Sequence, residues 1–227
     1  MTAAGIRDAA TVILVRDRDA PDPRVLVGQR GKNAVFMPSK FVFPGGAVDP
    51  ADSRAALAGL PGQETMARLS RGCTPGLATA LLAAAVRELW EEAGLVFGQR
   101  DARASALRAE YPEDWHGLLD TGALPSAEGL DFVFRAITPP GRPRRFDARF
   151  FLADAARLLG DPDDFSRASD ELSHLHWARL SEVRRLDMPF ITEVVLAEVQ
   201  ALLGTGGPPS GVPFFHHDDG RSYFDRL

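Results

Sequence analysis

The sequence predicts one α/β domain followed by a short tail. Three observations carry that reading: short β-branched runs alternate with helix-periodic stretches, no linker or repeat separates them, and all share one apolar budget. The chain has 227 residues, of which 45% are hydrophobic and 25% charged, the balance of an ordinary globular fold. The domain is expected over residues 1–204 and the tail over 205–227.

Thr11–Val15 and Arg24–Gln29 read as strands joined by the turn-rich Asp17–Pro23. Phe41–Phe43 is a third strand, stopped by Pro44-Gly45-Gly46. Residues 47–74 are rich in Ala, Gly, Asp and Arg, with helical patches at 51–58 and 63–71, and read as an excursion from the sheet. Thr74-Pro75 offers a hydroxyl N-cap and a first-turn proline. The helix it opens runs to Ala93, with Leu82, Ala85, Val86, Leu89 and Ala93 on one apolar stripe and Gly94 as its C-terminal stop. A helix is expected at 99–110. Strands follow at Leu130–Ile137, Phe146–Leu152 and Glu171–Ala178, then helices at 179–186 and 190–203. Gly204–Ser210 breaks the pattern.

Composition excludes several classes of function. Net charge is −5, so a nucleic-acid polymer is not an expected partner. No run approaches the 18 apolar residues of a membrane span, and the start of the chain lacks the pattern of a cleavable leader. The single cysteine, Cys73, cannot form an intramolecular disulfide, which points to a reducing compartment, the cytoplasm. Asp225-Arg226-Leu227 lacks the small residue of a peroxisomal address. P-loop, dinucleotide-fold and serine-hydrolase patterns are absent.

The stretch that carries chemistry is Arg87-Glu88-Leu89-Trp90-Glu91-Glu92-Ala93-Gly94-Leu95. At 100° per residue Glu88, Glu91 and Glu92 share one side of the helix. A solvated acidic face is the plain reading. Against it, Glu88 and Glu92 repel at i,i+4, and all three sit at the negative end of the helix dipole, at a cost of roughly 0.3–1 kcal/mol each. A bound divalent cation reverses both penalties, and hard Mg²⁺ takes oxygen ligands of this kind.

This segment resembles the second half of the Nudix box, G-x5-E-x7-R-E-U-x-E-E-x-G-U with U aliphatic. Arg87, Glu88, Glu91, Glu92 and Gly94 meet the fixed positions, and Leu89 and Leu95 the aliphatic ones. A chance match is on the order of one in a million per starting position. Phe43-Pro44-Gly45-Gly46 resembles the entry to the box. The first half departs from the pattern: Gly46 to Arg87 holds 27 residues more than the box allows, and its glutamate would fall at Asp52 counted forward or at Thr79 counted back. Such an insertion is similar to that of peroxisomal-type coenzyme A diphosphatases, as is Pro143-Arg144-Arg145-Phe146-Asp147-Ala148-Arg149-Phe150-Phe151.

The resemblance implies an α/β/α sandwich on a mixed sheet, with an inserted helical segment before the glutamate-rich helix. It implies Mg²⁺ or Mn²⁺ held by Glu88, Glu91 and Glu92 and by a backbone carbonyl at Gly46, with Arg87 orienting Glu91. Glu171 stands where such enzymes place a further carboxylate. The implied activity is hydrolysis of a small nucleoside diphosphate derivative: coenzyme A or acyl-coenzyme A, alternatively ADP-ribose or a dinucleotide. An inactive nucleotide-binding regulatory module is the alternative of another class, motivated by the missing box glutamate. A homo-oligomer is compatible with all of these.

Arg142, Arg144, Arg145 and Arg149 form the one dense basic patch, and Arg144 and Arg145 are the expected phosphate contacts. His174 and His176 lack a third nitrogen or sulfur ligand and read as ordinary strand residues. Cys73 lacks a catalytic partner. His216-His217-Asp218-Asp219 reads as polar tail.

Overall fold

The computed structural model describes residues 5–205 and 210–227. The chain start at 1–4 and residues 206–209 of the expected break lie outside the described residues. Among the described residues twelve strands and four α-helices follow one another as β1 (Ile6–Arg16), β2 (Arg24–Arg30), β3 (Phe41–Val42), β4 (Gly45–Ala47), α1 (Gln63–Leu69), α2 (Leu77–Ala93), β5 (Val96–Arg100), α3 (His116–Leu119), β6 (Ala123–Pro125), β7 (Asp131–Ile137), β8 (Arg145–Asp154), β9 (Leu158–Leu159), β10 (Leu172–Arg179), α4 (Phe190–Thr205), β11 (Pro213–Asp218) and β12 (Arg221–Arg226).

The main sheet runs β10-β2-β1-β8-β7-β11-β12, with β3 beside β2 and β4 beside β1. It is mixed: β1 pairs with β8 and β7 with β11 in parallel, the other pairs being antiparallel. Strand β1 shows why both faces are covered. Ala10, Val12 and Leu14 join the core beneath α2, while Ile13 and Val15 join the core beneath α4. Two apolar faces at period two need a layer on each side, and the result is the expected α/β/α sandwich. A small sheet, β6-β5-β9, flanks it.

Helix α2 is the scaffold of the site. Its alanines and leucines are buried almost all round, which lets the backbone sit close to β1 and β4. It starts at Leu77, two residues later than Pro75: Gly76 adopts φ 82°, and the Leu77 N–H bonds the Thr74 carbonyl. That left-handed residue takes Thr74-Pro75 off the helix axis, so no side chain caps the helix. Its other end behaves as expected, with Gly94 at φ 69° donating to the Trp90 carbonyl.

Several elements differ from the sequence reading. The patch at 51–58 reduces to one 3-10 turn, Asp52–Arg54, and the segment at 179–186 to another, Val183–Arg185. The helix expected at 99–110 is a strand, β5, followed by a 3-10 segment over Ala104–Glu110. Strand β10 bulges, with a register shift between Ser173 and His176 and with His174 at φ 52°. That kink takes the two histidines off a regular shared face. The residues read as a tail extend the sheet, because β11 and β12 form a hairpin docked on β7 through Phe214↔Arg135. His216 there bonds Asp225 at 2.8 Å.

Candidate active site

The site forms where the C-terminal half of α2 meets β4. Pairing of Gly45, Gly46 and Ala47 with Thr11, Ala10 and Ala9 fixes that short strand against β1. Its backbone then meets three α2 side chains. The Gly45 N–H donates to Glu92 Oε2 at 2.7 Å, the Ala47 carbonyl accepts from Arg87 Nη2 at 3.1 Å, and Gly46 lies against the Glu88 carboxylate. A Cβ on Gly46 would stand 2.3 Å from Glu88 Oε1, so this close approach requires glycine.

Arg87 organises the cluster. Its Nε donates to Asp52 Oδ1 at 2.8 Å and its Nη2 to Asp52 Oδ2 at 3.0 Å, while Nη1 reaches Glu88 at 2.9 Å and Glu91 at 2.8 Å. Asp52 is fully buried, and its Oδ2 also accepts the Asp49 N–H. The expected orienting contact from Arg87 to Glu91 is present, and the same nitrogen also holds Glu88. Asp52 is the residue the sequence reading set aside. It stands at the box spacing from Gly46, and a carboxylate one methylene shorter than glutamate reaches Arg87. Asp52 thus joins the stretch at 47–74 to the helix that carries the glutamates.

These carboxylates are not a solvated face. Glu88 is 9% and Glu92 2% exposed, whereas Glu91 is half-buried. Burial pushes the Glu92 carboxyl up to about 8, and the Glu88 charge adds to the effect while the Gly45 N–H and Arg30 oppose it. Burial likewise lifts Glu88 to about 7 against the pull of Arg87, and raises Glu91. The negative field of Glu171 reaches both Glu88 and Glu92, so that exposed residue belongs to the same cluster. Arg87 is held above its ordinary value, the bonds and charges of Asp52, Glu88 and Glu91 outweighing its burial.

Arg30, absent from the sequence reading, completes the surroundings. It ends β2 opposite Leu172, beside Glu171, and its Nη1 lies 4.0 Å from Glu92 Oε1. Its buried Nε has no hydrogen-bond partner among the described residues. Five carboxylates thus face two guanidiniums. This excess of carboxylate oxygens, three of the five groups being buried, suits a divalent cation as hard donors do. The ligands are not drawn into a finished cage, since among the described residues no three His, Cys, Asp or Glu side chains gather closely enough to hold one.

The remaining candidates lie elsewhere. Arg149 is buried and paired with Asp8 and Asp147, and Arg135 forms a two-pronged bridge to Asp147 at 2.9 and 2.7 Å. Much of the Arg-Arg-Phe-Asp element is therefore internal wiring of the sheet. Arg144 is exposed, and Arg145 opens β8 with its Nε on the Thr138 carbonyl. Both stand at the strand end, apart from the carboxylates. Cys73 is half-buried and donates to the Leu69 carbonyl.

No protein-family model matches the chain. Over 183 residues it is 30% identical to a protein described as "Putative nudix hydrolase 7" of Caenorhabditis elegans, covering 78% of this chain and 52% of that one. The chain thus spans about half the length of the curated relative it matches. The crystal structure of a NUDIX hydrolase from Alicyclobacillus acidocaldarius superposes with a TM-score of 0.63 at 28% identity, over 88% of this chain and 96% of that one. The chain has the Nudix fold. A Caenorhabditis elegans Ap4A hydrolase complex is a more distant likeness, 16% identical with a TM-score of 0.48 over 88% and 99% of the two chains. Within the Nudix fold, Gly46, Asp52, Arg87, Glu88, Glu91 and Glu92 of this chain form one connected unit. Among the described residues no helix is long and apolar enough to cross a membrane.

Proposed function

We propose that the chain is a metal-dependent hydrolase that splits the diphosphate of a small nucleoside diphosphate derivative, with coenzyme A or an acyl-coenzyme A as substrate. The products would be 3′,5′-ADP and (acyl-)4′-phosphopantetheine. One observation carries the reaction class: Arg87, locked by Asp52, holds Glu88 and Glu91 beside a Glu92 that is fixed by the Gly45 N–H. The substrate rests on the resemblance of the insertion and of residues 143–151 to the coenzyme A branch. The single half-buried cysteine accords with a cytoplasmic setting.

Glu88, Glu91 and Glu92 would hold Mg²⁺ or Mn²⁺, with the Gly46 carbonyl and Glu171 as further oxygen donors. Such an ion neutralises diphosphate oxygens and lowers the pKa of the attacking water. The chain itself supplies position and charge. Arg87 keeps two carboxylates from rotating away, and the Gly45 N–H keeps a third. Arg30, whose Nη1 lies beside Glu92 and whose Nε has no hydrogen-bond partner among the described residues, would bind a non-bridging phosphate oxygen. Asp52 removes the motive for the inactive-module alternative, because the charge of the missing glutamate is present.

The test is turnover of a panel of coenzyme A, acyl-coenzyme A, ADP-ribose and dinucleotides, with products separated by chromatography. Coenzyme A should be cleaved with a higher kcat/KM than ADP-ribose, and EDTA should abolish the reaction. Preference for ADP-ribose overturns the substrate. Tight binding without turnover of any compound overturns the enzyme.

A further inference from the structure

The edge of the main sheet opposite β10 ends on an open strand. The β11–β12 hairpin turns at Asp219-Gly220, which adopt φ 45° and 75°, as a tight two-residue turn requires. Val212 and Leu227 exchange main-chain bonds in both directions. Alternation from that pair makes Phe214↔Asp225, His216↔Tyr223 and Asp218↔Arg221 the hydrogen-bonded pairs of the hairpin. The N–H and C=O groups of Ser222, Phe224 and Arg226 therefore point the other way, along the outer edge. No strand pairs with that edge among the described residues.

This edge lacks the usual guards. All six residues of β12 are exposed, and the strand has no lysine, proline or bulge to deter a neighbour. Tyr223 and Phe224 are 39% and 54% exposed, one on each face. Both are braced from behind. Tyr223 stacks on His216 at 5.3 Å, His216 on Phe214 at 4.5 Å, and Arg135 lies 4.4 Å over the Phe214 ring. Phe224 leans on Phe134 and Phe215 at 6.0 and 6.3 Å. Side chains already held in place lose little freedom when a partner covers them. Arg221 makes no ion pair among the described residues, and Asp225 bonds only His216 there.

The outward groups limit how an antiparallel strand can add, because only Ser222, Phe224 and Arg226 offer bonds. A second β12 fits when the two-fold axis passes beside Tyr223. Ser222 and Phe224 then exchange bonds with Phe224 and Ser222 of the other copy, a small residue against a large one. Tyr223 meets Tyr223, and Arg221 meets Asp225 on both sides of the axis. Those are the non-hydrogen-bonded pairs, in which side chains come closest. The next register one way sets Phe224 against itself, and the next the other way sets Ser222 against itself; neither brings Arg221 to Asp225. We infer that β12 is a self-complementary edge through which two copies of this chain pair, continuing one sheet across a two-fold axis. The β10 edges, beside Glu171, then lie at the two ends of the joined sheet, so the surface is separate from the proposed reaction.

Sedimentation equilibrium of the full chain over a range of concentrations tests it. One strand from each copy makes a small interface, so the wild type should be a reversible dimer, half-associated at or below about 100 µM. Arg221→Glu and Asp225→Arg each turn two attractive contacts into repulsive ones and should weaken the dimer by at least about tenfold. Combining Arg221→Glu with Asp225→Arg restores opposite charges across the axis and should recover the dimer. Both side chains are exposed, so the circular dichroism spectrum should not change in any of the three. A wild type that stays monomeric up to about 100 µM overturns the self-pairing and leaves the edge to a strand of another protein. A dimer indifferent to both single reversals, or lost in them and not regained in the combined variant, also overturns it.

Discussion

Replacing Asp52 by Asn keeps the shape of a fully buried side chain and removes its charge. Asp52 accepts three bonds, from Arg87 Nε, Arg87 Nη2 and the Asp49 N–H. An asparagine can turn its oxygen to one side only, so its NH₂ must confront a donor. Arg87 is 6% exposed and cannot turn to water instead. Removing one partner of a buried pair costs about 3–5 kcal/mol, and the lower end applies because Glu88, Glu91 and the Ala47 carbonyl still hold Arg87. With a urea m-value of about 3 kcal/mol/M, a loss of about 3 kcal/mol lowers the unfolding midpoint by about 1 M. Urea titration followed by circular dichroism reads that shift directly. A midpoint within about 0.2 M of wild type, at unchanged slope, would refute the view that Asp52 anchors the cluster.

Other outcomes follow from the same geometry. Glu92→Gln should lower turnover by at least about a hundredfold in saturating Mg²⁺ while leaving the circular dichroism spectrum unchanged; near-normal activity removes this carboxylate from the reaction. Gly46→Ala should cut activity comparably, because its Cβ displaces the Glu88 carboxylate, and wild-type kinetics would contradict the close approach. Folding raises Glu88 to about 7 and Glu92 to about 8, above the ordinary carboxyl value, so the native state binds more protons than the unfolded one. Stability without metal should therefore be greatest in mild acid and fall as pH rises toward 8. Calorimetric scans across that window that stay flat or rise would contradict the burial argument. Arg30→Met should raise the KM for the diphosphate substrate more than it lowers kcat, and an unchanged KM would separate Arg30 from the phosphates.

Periodicity and spacing made the centre of the molecule legible. The stripe of α2, the Gly94 stop and the three glutamates follow from local pattern, because an almost wholly buried helix leaves its chemistry on the strip that meets β4. Long-range pairings were not legible. Asp52 and Arg87 are 35 positions apart, and only the fold shows that the shorter acid reaches. Its signal, the box spacing from Gly46, was present in the sequence but was outweighed by the residue type. Arg30 left no motif at all; strand register places it beside Glu171. The hairpin at the end of the chain was obscured by its exposed strand β12, which lacks the apolar alternation of a half-buried strand. Arg149 looked like a surface cation because sequence does not reveal that Asp8, 141 positions away, neutralises it.

The clamp between Asp52 and Arg87 also bears on how such a chain can change over generations. It acts as a non-covalent staple across the base of the inserted segment, so what lies between is tied down at its root. Lengthening that connection from 8 positions in the unbroken motif to 35 adds only about 1.3 kcal/mol of closure entropy. Ala55 and Leu69 tie the stretch into the core, so it is the exposed positions among residues 53–76 that can change while the carboxylates stay where they are. Exchanges at those positions should alter which molecules are accepted before they alter whether the molecule folds.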